Sequence, residues 1–234
     1  MIYNYSYIFL LFIIYSIMGW LAEVITAYVS RNKLINRGFL IGPYCPIYGI
    51  GVVAIVNFLK DFTNNWLALF ILAMVLCMTL EYVTSFVMEK LFNARWWDYS
   101  TKRFNINGRI CLETAIPFGI GGLIIMYVIN PFIEKILNSW SESTVIIIGG
   151  ILFVIFIVDL IISLTVILKI KKVDIRKYKR LFRKDDTEFI NKKVREYLIK
   201  YSALTRRLME SFPNARIRIT KIKNKITKTV QRKP

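Results

Sequence analysis

Five carboxylates sit where carboxylates are costly. Glu23, Glu81, Glu89, Glu113 and Asp159 fall within or beside stretches that are otherwise apolar. Carboxylates inside a bilayer face a bundle interior or a wet cavity and take a partner. Arg37 and Arg109, at the starts of the second and fourth apolar stretches, are the natural partners, each beside or near an amide side chain, Asn36 and Asn107. Such a set can hold an ion or charged substrate, or can bind phosphate with a carboxylate serving as acid or base. It can equally tie helices together and do no chemistry.

Other residue types narrow the choice. The sequence contains no histidine, which removes the commonest metal ligand and the usual base for a Ser or Cys nucleophile. Cys45, Cys77 and Cys111 show no C-x-x-C spacing and lie in or beside apolar stretches, so they read as packing residues and not as a zinc site or disulfide framework. No phosphate-binding G-x-x-x-x-G-K-S/T loop occurs. Neither a metal nor a cofactor is implied, and the balance leans away from an enzyme.

The elements that must position these residues are membrane spans. The chain has 234 residues, 56% of them hydrophobic, yet carries a formal charge of +18. Residues 1–170 contain 11 Lys and Arg against 9 Asp and Glu, whereas residues 171–234 contain 22 against 6. A bilayer core takes about 20 apolar residues per helix, and five stretches reach that length: Tyr5 to Val29, Phe39 to Leu59, Trp66 to Met88, Ile110 to Ile129 and Thr144 to Leu168. The expected fold is all-α, a five-helix transmembrane domain over 1–170 and a basic tail over 171–234. The first stretch reads as a retained helix, since no Lys or Arg precedes it and it is too long for a signal-peptide core.

Lys and Arg counts give an orientation. The first loop holds Arg31, Lys33 and Arg37, and the third holds Lys90, Arg95, Lys102, Arg103 and Arg109, whereas the second and fourth offer only Lys60 and Lys135. By the positive-inside rule the first and third loops and the tail are cytoplasmic and the N-terminus is outside, in a multi-pass plasma-membrane protein. In the tail, Ile190, Val194, Leu198, Tyr201, Leu208 and Phe212 recur at helical spacing after Asp185, Asp186 and Glu188, until Pro213 ends the pattern. A second basic run places Ile219, Ile222, Ile226 and Val230 among lysines. Such amphipathic basic segments suit anionic lipid. Nucleic acid is a poorer partner, because no recognition motif accompanies the charge.

The first two stretches resemble the next two. Glu23-Val24-Ile25-Thr26 parallels Glu81-Tyr82-Val83-Thr84, Ile35-Asn36-Arg37-Gly38 parallels Ile106-Asn107-Gly108-Arg109, and Pro46-Ile47-Tyr48-Gly49 parallels Pro117-Phe118-Gly119 with a one-residue gap. Two hairpin repeats, about 5–59 and 66–129, would then share an orientation, with a pseudo-two-fold axis along the membrane normal. Pro43, Pro46, Gly49 and Gly51, like Pro117, Gly119, Gly121 and Gly122, are expected to interrupt both second helices. Glu23, Glu81, Arg37, Arg109, Asn36 and Asn107, with Glu113 nearby, would line a cytoplasm-facing cleft between the repeats. An insertion confined to the second repeat carries Trp96, Trp97, Asp98 and Tyr99, which fit either an interfacial aromatic belt or a docking element or gate.

Asn36-Arg37-Gly38-Phe39-Leu40, Cys45-Pro46-Ile47-Tyr48-Gly49, Trp96-Trp97-Asp98-Tyr99-Ser100 and Asn107-Gly108-Arg109-Ile110-Cys111-Leu112 together resemble the CmpB-like, type IV ABC-transporter permeases of bacterial membranes. The resemblance covers residues 10 to 165 and leaves out the tail. It implies a transporter's membrane-spanning subunit served by a separate ATPase. An intramembrane enzyme acting on lipid from the cytoplasmic side and a non-catalytic scaffold are the alternatives. Five spans are few for a transport pathway, so assembly with a partner or a second copy is expected.

Overall fold

The structure, a computed structural model, describes residues 1–32, 34–92, 94–171, 196, 199, 203–212 and 216–217. Four helices among these residues are long and apolar enough to cross a bilayer: Ile2–Ser30, Trp66–Phe92, Leu112–Asn138 and Glu142–Val166. The elements in chain order are α1 (Ile2–Arg31), α2 (Pro46–Phe58), α3 (Trp66–Phe92), α4 (Leu112–Ile124), a π-helical turn (Ile125–Ile129), α5 (Asn130–Asn138), α6 (Glu142–Lys171) and the tail helix α7 (Ala203–Ser211). Ile147, Ile151, Val154, Ile155, Val158 and Ile161 of α6 are exposed, an outward face that only an apolar solvent covers without penalty. The fold is that of a membrane-embedded helical protein.

The helices pack through small residues. Gly49 of α2 lies against α1 so closely that an added Cβ would stand 2.4 Å from the Phe12 carbonyl oxygen and 2.2 Å from Ser16 Oγ. Gly122 of α4 meets Ala73 of α3 in the same way, at 2.4 Å. With no hydrophobic drive between helices in lipid, such close approach supplies the dispersion contact that holds them. One core joins Leu10, Leu11 and Tyr15 of α1 to Ile133 and Leu137 of α5 and Val145 of α6. A second joins Ile55 and Leu59 to Leu69, Ala73 and Met126.

The second apolar stretch departs from expectation. Phe39 to Leu59 is not one helix: α2 has 13 residues, about 20 Å at 1.5 Å per residue, short of the roughly 30 Å of a bilayer's hydrocarbon. Residues 34–45 precede it without helical structure. Pro43 and Pro46 explain the break, because the residue before a proline is driven out of the α region, and Pro46 then opens α2 at a position where its missing N–H costs nothing. The second interruption lies elsewhere than expected. Pro117 sits inside α4, and the irregularity falls later, in the π turn at Ile125–Ile129, through which the rod continues to Asn138.

Short strands organise the end of the bundle where the loops at 32–45 and 93–111 gather. β2 (Asn105–Ile106) and β3 (Ile110–Cys111) form a hairpin, turned by Asn107 at φ 53° and Gly108 at φ 65°. β1 (Ala94–Arg95) pairs antiparallel with β4 (Arg216–Ile217) of the tail. Of the tail pattern, Leu208 and Phe212 are described, whereas Ile190, Val194, Leu198, Tyr201 and the basic run at 219–230 lie outside the described residues.

Overpacking a tight helix contact costs about 1–3 kcal/mol. Gly49→Val should therefore lower the thermal-unfolding midpoint of the purified protein and its recovery as a monodisperse species. Gly150→Ala, where an added Cβ meets nothing within 4 Å, should leave both unchanged.

Candidate functional site

The first polar group is built by α1, the 34–45 segment and α2. Glu23, partly buried on α1, accepts hydrogen bonds from Arg37 Nε at 3.2 Å and from the Tyr48 hydroxyl at 2.6 Å. Asn36 accepts from Trp20 Nε1 at 2.8 Å and donates to the Ile41 carbonyl at 3.0 Å. The expected pairing of Glu23 with Arg37 is present, and Tyr48 and Trp20, which sequence reasoning left out of the site, complete it.

On α3 the partners are differently distributed. Glu81, only 7% exposed, accepts from the Tyr99 hydroxyl at 3.1 Å and has no guanidinium in salt-bridge contact among the described residues. Arg109 goes instead to Glu89, at 2.7 Å, and to Ser85 Oγ at 3.1 Å, with its guanidinium over the rings of Tyr82 and Phe86. Arg95 reaches both Glu89, at 3.3 Å, and Asp98, at 3.4 Å. Glu89 lies eight residues beyond Glu81, about 12 Å along the helix, so Arg109 at the mouth of α4 meets the nearer acid. Glu113 is exposed and pairs with Lys102 at 2.7 Å. Asn107 is exposed and donates to the Tyr82 hydroxyl at 2.9 Å. These two stand apart from Glu23 and Glu81.

The Trp96–Tyr99 block folds inward. Trp96, 4% exposed, meets Phe39 edge-on at 5.6 Å and Phe212 of the tail at 5.2 Å. Trp97 Nε1 donates to the Arg109 carbonyl at 3.1 Å, and Asp98 accepts from the Ser100 amide at 3.0 Å. Gly108 belongs to this packing, since a Cβ there would lie 2.7 Å from Asp98 Oδ1. Burial, then the charge of Glu81 and, more weakly, that of Glu23, pushes the Tyr99 phenol well above its ordinary range. Tyr99 therefore lies within electrostatic reach of both carboxylates, while its hydrogen bond goes to Glu81.

Asp159 of α6 completes the arrangement. Its carboxylate accepts from the amides of Ile41 (3.0 Å) and Gly42 (2.7 Å), from the Tyr44 hydroxyl (2.5 Å) and from Ser163 Oγ (2.8 Å). Its partners are thus loop backbone and hydroxyls, where an arginine was expected. Across the same segment, Arg207 of α7 donates to the carbonyls of Gly38 (3.2 Å), Phe39 (3.2 Å) and Leu40 (2.7 Å), and Ser211 Oγ donates to the Asn36 carbonyl. Burial lowers the pKa of the Arg207 guanidinium, with the Asp159 charge acting in the other direction. Leu208, at the helical spacing read from the sequence, is buried in this docked helix.

A family model described as "Putative ABC-transporter type IV" matches residues 10–164. The chain belongs to this ABC-transporter type IV family. The matched region runs from α1 to near the end of α6 and takes in Glu23, Glu81, Asp159 and the Trp96–Tyr99 block, while the tail helix lies beyond it. No curated protein and no solved structure matches the chain.

Glu89 and Glu113 give a contrast in stability. Removing one member of a buried ion pair costs about 3–5 kcal/mol, because the partner charge is stranded, so Glu89→Ala should sharply depress the thermal midpoint. Glu113→Gln, at an exposed pair with Lys102, should leave the midpoint where it is. Arg207→Ala should speed chymotrypsin cleavage within 203–212 several-fold, read by mass spectrometry of the released tail.

Proposed function

We propose that this chain is the membrane-spanning component of a transporter, the permease subunit of an ABC-type system in a bacterial plasma membrane. Family membership supports the class, and the carrying observation is that Glu23 and Glu81, on two separate apolar helices, each hold a tyrosine hydroxyl. Intramembrane acids that converge from separate helices are the usual mark of a transport path. The path lies between hairpin α1–α2 and hairpin α3–α4, lined by Glu23, Glu81, Tyr48 and Tyr99, with Arg37 and Asn36 at its mouth. Arg109 and Asn107 serve the adjoining loop.

The similar segments in the two hairpins support an internal duplication, and the break before α2 supports discontinuous helices at a binding site. The Lys and Arg distribution supports a cytoplasmic placement of the 32–45 and 93–111 loops and the tail. ATP would be hydrolysed by a separate subunit, as the sequence carries no phosphate loop of its own. That subunit would meet the cytoplasmic loops. The basic tail would contact anionic lipid, and a second copy would supply the further helices a full path requires.

Gentle purification of the full chain from its native membrane, followed by identification of co-eluting proteins, tests the assembly. A separate ATPase in stoichiometric amount is the expected result. Repeated recovery of the chain alone as a stable oligomer would remove the ABC reading.

A further inference from the structure

Charge is matched almost everywhere the bundle buries it. Glu23 has Arg37, Glu89 has Arg109 and Arg95, Asp98 has Arg95, and Asp159 takes two backbone amides and two hydroxyls. Glu81 alone among these acids lacks such compensation. Its Oε1 accepts one bond from Tyr99, and its buried Oε2 has no hydrogen-bond partner among the described residues. Thr114 lies beside the same carboxyl, but its hydroxyl proton goes to the Cys111 carbonyl at 2.9 Å.

The remaining surroundings are no more hospitable to negative charge. Glu23 of α1 is near enough for its charge to act on Glu81, and it already holds Arg37. Tyr48 of α2 spends its proton on Glu23. Cys77 on α3 and Cys111 before α4 bring thiols and no cation. Two neighbouring carboxylates in a low-dielectric site do not both ionise cheaply, and of the two only Glu23 has a guanidinium beside it.

We propose that Glu81 is a proton-binding site, carrying a proton on Oε2 in the resting protein and exchanging it with water on the side of the 93–111 loop. Taking up the proton neutralises the carboxylate and turns Oε2 into a donor. Releasing it leaves a buried anion with Tyr99 as its one hydrogen-bond donor among the described residues, a state that favours rearrangement of Tyr99 and the loop it belongs to. Glu81 is thereby placed to couple proton movement to a conformational step. The assignment stands on the surroundings of one carboxyl and holds whether or not the chain transports a solute, so failure to recover an ATPase does not touch it.

Infrared difference spectroscopy of the full-length chain in lipid nanodiscs tests it. Wild-type protein at neutral pH should show the C=O stretch of a protonated buried carboxyl that shifts in heavy water and disappears on raising the pH. Glu81→Gln, which mimics the neutral acid in shape, should lose the band, and Glu23→Gln should keep it. A wild-type spectrum without the band at any pH overturns the proposal, as does a band that survives in Glu81→Gln. Loss of the band on adding sodium at constant pH overturns it too, and assigns the site to a metal cation.

Discussion

Backbone amides and carbonyls that leave a helix near a bilayer must find partners inside the protein, because lipid offers none. The segment at 36–45 is where this chain meets that demand most severely. Its answer draws on three separate elements: Cys45 N–H goes to the Ser16 carbonyl of α1 at 2.9 Å, Ile41 and Gly42 N–H go to Asp159 of α6, and the carbonyls of Gly38, Phe39 and Leu40 go to Arg207 of the tail. The short α2, the position of α6 and the docking of α7 all follow from satisfying that one irregular strip.

The acids divide along the same line between structure and chemistry. Asp159 and Glu89 are saturated with partners, so they fix geometry. Glu23 and Glu81 keep a simpler shell of one tyrosine each, with a single guanidinium between them. This asymmetry is invisible if the acids are only counted, and it arises because Arg109 pairs with Glu89, eight residues beyond Glu81 on the same helix.

Much of this was legible in the residues. Apolar length located all four long helices, since nothing but a helix satisfies some twenty apolar residues in lipid. Asn36, Arg37 and Glu23 were readable as a set because the first loop is short. The rest failed for identifiable reasons. Apolar composition concealed the extended run before α2, where Pro43 and Pro46 signalled an interruption but not that the helix would begin only at Pro46. Arg109 was assigned by analogy with Arg37, although Glu89 lay on the same helix as Glu81. Leu208 and Phe212 of the tail pack on the protein, a contact that hydrophobic spacing alone leaves unnamed, since it reports that a face is covered and not by what. Asp159 with Ser163 four residues on, one helical turn away, was the available hint of an acid held by hydroxyls.

Arg207 also sets an order of events during synthesis. It caps the Leu40 carbonyl from 167 residues further along the chain. At about 5–20 residues per second, that carbonyl is made roughly ten to thirty seconds before the side chain that will satisfy it. Throughout that interval the nascent membrane segment carries open acceptors, which the insertion machinery, water or lipid headgroups must cover. The last described helix of the protein is therefore the one that closes the earliest break in its backbone, and a ribosome stalled in the tail would leave a bundle inserted but unsealed.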